Sequence, residues 1–239
     1  MITNQTSFSR SRQQRDKFCQ HKDTILVPIL KDIKIDEPKN FHAILMPALY
    51  GIEAFHLVSC GVPAFNLFAI ENNSVDSFDI HAEIINCKLS DRQELKGMQT
   101  TGKPEPLSKA LDEAYWCFGG KPFNLIYLDF LSQLDFETHY RNGLLKIMRA
   151  RMLAEKATLI VNFGRNRCRE KTANMNKDLL NASKKTKLGI MESMPIKLYI
   201  GAAIQESGHP IYQEMFNRSY LSMDNKSWAI EYLITVVKF

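Results

Sequence analysis

Short apolar runs alternate with amphipathic stretches along the chain from about residue 41 onward. Compact apolar runs bounded by turn residues predict buried strands, whereas apolar residues that recur every three or four positions predict helices. The predicted strands are 41–48, 66–73, 95–102, 123–131, 158–164, 196–204 and 227–239. The predicted helices are 51–61, 74–89, 105–118, 136–157 and 169–186.

Strands that alternate with helices predict a mostly parallel sheet with helices on both faces, because right-handed crossovers place them there. The last strand, 227–239, follows a stretch without a clear long helix, and a strand reached through a loop can lie antiparallel to its neighbours. We therefore predict an α/β, Rossmann-like, doubly wound sheet with a C-terminal antiparallel strand, in a single domain at 41–239. Residues 1–40 are predicted to be a partly flexible N-terminal extension, in which 23–30 is either a short strand or a helix that caps the core.

The first predicted strand runs into a turn with one glycine, Gly51, and then into a helix. In open α/β sheets this turn and the end of the second strand face the same ligand crevice. Glu71 ends the second predicted strand, where a carboxylate can accept both hydroxyls of a ribose. A pyrophosphate requires three glycines for close backbone contact, whereas S-adenosylmethionine has no phosphate and carries a sulfonium cation. A single glycine with Glu53 beside it therefore favours S-adenosylmethionine over NAD.

With these features the chain resembles the class I S-adenosylmethionine-dependent methyltransferases over residues 41–239. The resemblance rests on the order of the elements and on the final antiparallel-type strand. Residues 48–71 resemble the first motif of the family together with the acidic end of its second strand, and "NLIYLDF" at 124–130 resembles its fourth motif. It implies S-adenosylmethionine as the cofactor. The cofactor-binding residues that it implies are Ala48, Tyr50 and Gly51 at the methionine part, Glu71 at the ribose, and Asn72 and Gly102 at the adenine.

The same resemblance places Asp129 at the end of the fourth strand, near the transferred methyl group, and Phe130 against a target base. Methyl transfer from a sulfonium requires in-line positioning more than acid or base groups. Asp129 would orient a target nitrogen or oxygen or accept its proton, and the alternative is that it caps the following helix. In amino-methyltransferases two prolines follow this position, whereas Phe130 and Leu131 follow it here, which disfavours an adenine-amine methylase.

Composition argues against several other classes of protein. Apolar runs such as 124–131 are far shorter than the roughly eighteen residues that span a bilayer, and residues 1–18 contain no apolar signal core. The five cysteines are widely spaced and form no Cys-x-x-Cys pair, which favours a reducing cytoplasm over a disulfide framework. The histidines form no metal-binding pair, so we predict no metal site.

The net charge of +5 is unevenly distributed. Residues 141–190, called here the basic stripe, contain thirteen Lys or Arg and three Asp or Glu, a net +10, so the rest of the chain sums to −5. Such a stripe is typical of a polyanion partner, and two solvated helix faces are the alternative. Arg165, Arg167 and Arg169 directly follow the fifth predicted strand and would contact RNA or DNA near the crevice.

Three hypotheses of function follow from these patterns. The first is an S-adenosylmethionine-dependent methyltransferase that acts on a nucleic acid. The second is a catalytically silent protein of the same fold that binds a nucleic acid or a protein partner. The third is a nicotinamide-dependent oxidoreductase, which the single glycine of the first turn disfavours.

Overall fold

The computed structural model describes residues 24–47, 51–70, 93–101, 106–130, 136–164, 195–223 and 229–239. The strands in these ranges are β1 (Ala43–Leu45), β2 (Leu67–Ala69), β3 (Gln99–Thr100), β4 (Phe123–Phe130), β5 (Leu153–Gly164), β6 (Glu214–Met223) and β7 (Ala229–Lys238). The helices are α1 (24–31), α2 (Ile52–Ser59), α3 (Leu107–Cys117), α4 (136–149) and α5 (Pro195–Ser207). Helix α4 is a π-helix over Phe136–Leu145 and an α-helix over Lys146–Arg149. Strands and helices therefore alternate through most of the described chain.

All seven strands form one sheet in the order β3-β2-β1-β4-β5-β7-β6. The pairs β1–β2, β1–β4, β2–β3 and β4–β5 are parallel, and β7 is antiparallel to both β5 and β6. This arrangement confirms the predicted Rossmann-like, mostly parallel sheet with a C-terminal antiparallel strand. The strand order reverses between β1 and β4, which makes their junction the topological switch point of the sheet.

Helices cover both faces of the sheet, and successive strand residues alternate between them. Ile44 packs in the core that contains α3, α4 and α5, whereas its neighbours Ala43 and Leu45 pack in the core that contains α1 and α2. Since both faces of β1, of 125–128 in β4 and of 157–163 in β5 are buried, these segments are mostly apolar on both sides, as expected in a parallel sheet.

The end of the chain differs from the prediction. Residues 196–204 were predicted as a strand but belong to α5, and Ile196, Ile200 and Ala203 are buried against the sheet at helical spacing. The strand before the last is instead β6, in a stretch predicted as a loop. Because β6 lies at the edge of the sheet and pairs only with β7, it needs no continuous apolar run.

The predicted helix 136–157 is too long. The chain leaves α4 after Arg149, passes through Arg151 at a φ of 50°, and begins β5 at Leu153. The helices predicted over 51–61 and 105–118 are confirmed as α2 and α3, and 23–30 adopts the helical alternative as α1. The predicted helices 74–89 and 169–186 lie outside the described residues.

Candidate functional site

The carboxyl ends of β1 and β4 meet at the switch point. Leu45 pairs with Tyr127 in the register of the two strands, and the backbone N–H of Met46 donates to the Tyr127 carbonyl at 2.9 Å. The backbone N–H of Asp129 lies 3.3 Å from the Sδ atom of Met46. These contacts place the end of β1 directly beside Asp129. In open α/β sheets, this edge of the switch point is where ligands bind.

The turn after β1 enters α2 through Gly51. This residue has φ 55° and ψ 34°, the left-handed conformation that costs a residue with a Cβ about 1–2 kcal/mol. Glu53 follows in the first turn of α2 and is fully buried. A carboxylate here interacts with the same helix dipole that would stabilise a pyrophosphate. The turn therefore suits a ligand with cationic groups better than it suits a dinucleotide.

Asp129 is half-buried at the end of β4, and each of its carboxylate oxygens accepts a hydrogen bond from a neighbouring side chain. The Tyr127 hydroxyl donates to Oδ2 at 3.0 Å, and the Asn162 Nδ2 amide donates to Oδ1 at 2.7 Å. Tyr127 lies two residues earlier in β4, and Asn162 lies directly across from Asp129 in β5. Both donors are fully buried, so the orientation of the carboxylate is fixed from within the sheet.

Phe130 belongs to the opposite face of β4. Its side chain is buried in the core that contains α3, α4 and α5, and its ring centroid lies 4.2 Å from that of His139 on α4. Packing against this helix accounts for the aromatic side chain at this position. Contact of Phe130 with a target base stays a prediction.

Thr101 follows β3 and is fully buried. Its Oγ1 atom has no hydrogen-bond partner within the part of the chain that the structure describes. A buried hydroxyl without a partner costs about 1–3 kcal/mol. Thr101 directly precedes Gly102, which was predicted to lie at the adenine.

The predicted cofactor residues are only partly within the described chain. Gly51 is described and lies directly before α2, the helix that follows β1 in the chain. Ile70, the residue before Glu71, donates its backbone N–H to the Leu45 carbonyl at 2.8 Å, so the described part of the second strand ends beside β1. The roles of five residues stay predictions because these residues lie outside the described ranges: Ala48, Tyr50, Glu71, Asn72 and Gly102.

Three buried residues with polar side-chain groups were not predicted as site residues from the sequence: Tyr127 in β4, Asn162 in β5, and Thr101 after β3. The available signal was a polar group within or directly after an apolar strand, as with Asn162 in "LIVNFG". Buried polar groups of this kind require partners, which makes them candidates for a network.

The described part of the basic stripe is largely neutralised by acidic partners. Three of its cations form ion pairs. These pairs are Arg141 with Glu137 at 3.1 Å, Lys146 with Asp112 at 2.5 Å, and Arg149 with Glu206 at 2.6 Å. Arg151 and Lys156 are exposed. Arg165, Arg167 and Arg169 lie outside the described residues, so their contact with a nucleic acid stays a prediction.

Nowhere in the described chain do three His, Cys, Asp or Glu side chains come together as a metal ion requires. Cys60 and Cys117 are exposed free thiols. Each described helix is too short or too polar to cross a membrane.

No protein-family model matches the sequence, and no curated protein matches it. Among solved structures, the chain is similar to a Clostridium thermocellum protein provisionally named an rRNA-methylase. The sequence identity is 12%, the match covers 90% of this chain and 95% of that chain, and the TM-score is 0.45. It is also similar to an rRNA methylase from Streptococcus thermophilus. The sequence identity is 13%, the match covers 95% of this chain and 94% of that chain, and the TM-score is 0.42. These values are too low to assign an activity or a substrate, and the fold is defined by the strand order of the chain itself.

Proposed function

We propose that this protein is an S-adenosylmethionine-dependent methyltransferase that acts on a nucleic acid. The observation that carries the proposal is the junction of β1 and β4. There the Gly51 turn and the Asp129 carboxylate follow adjacent parallel strands at the point where the strand order reverses. A cofactor bound at the turn would present its reactive group to a residue at the end of β4.

The chemistry of the turn fits a cofactor without phosphate groups. Buried Glu53 disfavours an anionic pyrophosphate at the start of α2 and favours a ligand with ammonium and sulfonium groups. The Thr101 hydroxyl offers a hydrogen-bonding group at the end of β3. In this proposal Ala48, Tyr50 and Gly51 hold the methionine part, Glu71 holds the ribose, and Asn72 and Gly102 hold the adenine.

The proposed chemistry is a displacement that depends on positioning. S-adenosylmethionine would supply an electrophilic methyl group attached to a sulfonium. Asp129 would orient the target nitrogen or oxygen through its fixed carboxylate. Phe130 would contact the target base at the carboxyl end of β4. Alignment of this kind lowers the barrier by removing the entropy cost of bringing the reactants together.

A nucleic acid is the proposed substrate because of the basic stripe, whose Arg165, Arg167 and Arg169 would track the phosphate backbone. We further propose that residues 41–239 form one domain, preceded by an extension at 1–40. A cytoplasmic location is proposed from the widely spaced cysteines and from the free thiols of Cys60 and Cys117.

A thermal-shift series tests the cofactor. S-adenosylhomocysteine should raise the melting temperature with increasing concentration, by an amount that corresponds to about 2.7 kcal/mol at a hundredfold excess over its Kd. NAD should give no shift, because Glu53 would lie against its pyrophosphate. An equal shift with NAD would instead support the oxidoreductase hypothesis. Binding of S-adenosylhomocysteine without methyl transfer to RNA or DNA would support the catalytically silent protein.

A further inference from the structure

We propose that Asn162 and Tyr127 are positioning residues that hold the Asp129 carboxylate for a target atom that carries a proton, an N–H or an O–H group. This inference rests on the proposed methyltransferase function and specifies the class of atom that would receive the methyl group. It assigns to the two buried donors a role beyond the stability of the sheet.

The geometry fixes the carboxylate on both sides. Asn162 donates to Oδ1 from the neighbouring strand, and Tyr127 donates to Oδ2 from the same strand. Tyr127 and Asn162 are each fully buried, so their side chains cannot rotate without disturbing the core. Asp129 itself is only half-buried and lies near the carboxyl end of β4, so it is the most accessible of the three residues.

The chemistry of a carboxylate then selects the target. Its oxygens accept hydrogen bonds, and the two oxygens together offer about four lone-pair sites. A carboxylate held in this way aligns an N–H or O–H donor, such as an imino group or a hydroxyl, and it repels the lone pair of an unprotonated ring nitrogen. The target therefore approaches through its proton.

In methyl transfer to such an atom, the bond between sulfur and the methyl carbon of bound S-adenosylmethionine would break, and its electron pair would remain on sulfur. The new bond to the methyl carbon uses the lone pair of the target nitrogen or oxygen, and the proton of that atom leaves to the Asp129 carboxylate and then to water. Asn162 and Tyr127 keep the accepting oxygens in place throughout this step.

The substitution Asn162→Asp tests the inference because it preserves shape and replaces the donor with a second carboxylate. Two carboxylates 2.7 Å apart cannot both ionise near neutral pH, so they share a proton. The acidic limb of the pH profile of kcat/KM should move up by about one unit or more. The assay is transfer of a tritiated methyl group from S-adenosylmethionine to unmodified RNA transcripts and to a DNA duplex.

A double variant separates positioning from stability. Asp129→Asn combined with Asn162→Asp restores one donor and one acceptor across the same strand pair, so thermal stability should recover relative to Asn162→Asp alone. Turnover should stay as low as in Asp129→Asn, because the carboxylate now lies at the buried position of β5. Recovery of turnover together with stability would show that only the hydrogen bond matters, which contradicts the inference.

Tyrosine variants provide a matched pair. Tyr127→Phe removes the hydroxyl that contacts Asp129 and should lower kcat about ten- to a hundredfold with little effect on cofactor binding. Tyr199→Phe changes another fully buried tyrosine, on α5, and should leave kcat unchanged. Two results together would overturn the positioning role and leave the proposed function intact. They are a wild-type kcat in Tyr127→Phe and an unshifted pH profile of kcat/KM in Asn162→Asp. If the wild type binds no S-adenosylhomocysteine, the proposed function falls and this inference falls with it.

Discussion

Two glycines in different backbone conformations predict opposite effects of the same substitution. Gly51→Ala should destabilise the protein by about 1–2 kcal/mol, because a φ of 55° is unfavourable for a residue with a Cβ. Leu95 would lie 3.9 Å from that Cβ, an ordinary contact, so the cost comes from the backbone. Gly201→Ala, in the middle of α5, should stabilise it by roughly 0.5–1 kcal/mol, because a Cβ there would meet no described atom within 4 Å apart from the backbone of its own helix.

Urea unfolding of the two variants and the wild type measures both effects as shifts of the midpoint at constant slope. Shifts of the same sign would contradict the assigned conformation of Gly51. Loss of S-adenosylhomocysteine binding in Gly51→Ala alone would further tie this turn to the cofactor.

At the same scale, the sequence identified part of the candidate site. Asp129 was predicted because "NLIYLDF" resembles the fourth motif of the class I methyltransferases, a resemblance that places this residue at the end of a strand. Its partner Asn162 lies 33 residues further along the chain. That contact depends on the register of β4 against β5, which hydrophobic periodicity does not specify.

The helices on one face of the sheet are joined by polar contacts centred on α4. Lys146 donates to the Ser108 carbonyl of α3 at 2.7 Å, and it also forms the ion pair with Asp112 on that helix. A Cβ on Gly143 would lie 2.8 Å from Leu107 Cδ2, so α3 and α4 approach each other too closely for a larger residue without rearrangement. On the other side, Glu206 of α5 binds both Tyr140 and Arg149.

Tyr140 makes the stability of this helical layer depend on pH. Burial, the hydrogen bond to Glu206 at 2.7 Å and the charge of Glu206 raise the pKa of Tyr140 above its ordinary value of 10.0. In the unfolded chain the phenol ionises near pH 10, whereas in the folded protein it stays protonated. Its contribution is therefore fully present below about pH 10 and is lost as the pH rises above that value.

The substitution Tyr140→Phe measures this contribution. The variant should be less stable than the wild type by about 1 kcal/mol at pH 8, and the difference should shrink as the pH rises above 10. Urea unfolding of both proteins at matched pH gives the difference directly. In a Glu206→Gln background the pH dependence should weaken, because the charge of Glu206 is one of its causes. A difference that stays constant from pH 8 to 11 would refute the proposed coupling.

The elements that the sequence predicted wrongly share a physical cause. In α5, β-branched and aromatic residues such as Ile196 and Tyr199 favour a strand locally, but burial against the sheet at helical spacing decides the helix. The apolar and basic pattern of α4 continues past Arg149, yet the chain turns at Arg151 to pair β5 with β4. In both cases tertiary packing overrides local propensity.

Across the whole molecule, the alternation of strands and helices predicted the sheet, its parallel core and its antiparallel last strand. The position of β6 outside β7 was not predictable in the same way, because edge strands carry a weaker apolar pattern. The charge distribution is a second property of the whole molecule. Within the basic stripe, residues 165–190 contain eight Lys or Arg and two Asp or Glu, a net +6.

This concentration of charge leads to a prediction about nucleic-acid binding. Arg141, Lys146 and Arg149 already pair with carboxylates, so attraction to a polyanion should come mainly from the charges at 165–190. RNA affinity in filter binding should fall linearly with the logarithm of salt concentration, with a slope of about −0.7 to −0.9 per neutralised phosphate.

Charge reversal then locates the contact surface. Replacing Arg165, Arg167 and Arg169 with Glu should reduce both the affinity and the salt slope, because these residues directly follow β5 in the sequence and are proposed to contact the phosphate backbone. Replacing Lys184, Lys185 and Lys187 with Glu makes the same change in net charge farther along the chain and should reduce binding less. Equal losses in the two triple variants would indicate a general attraction to positive charge. If the wild type retains neither RNA nor DNA at the lowest salt, where attraction to phosphates is strongest, the substrate is not a nucleic acid.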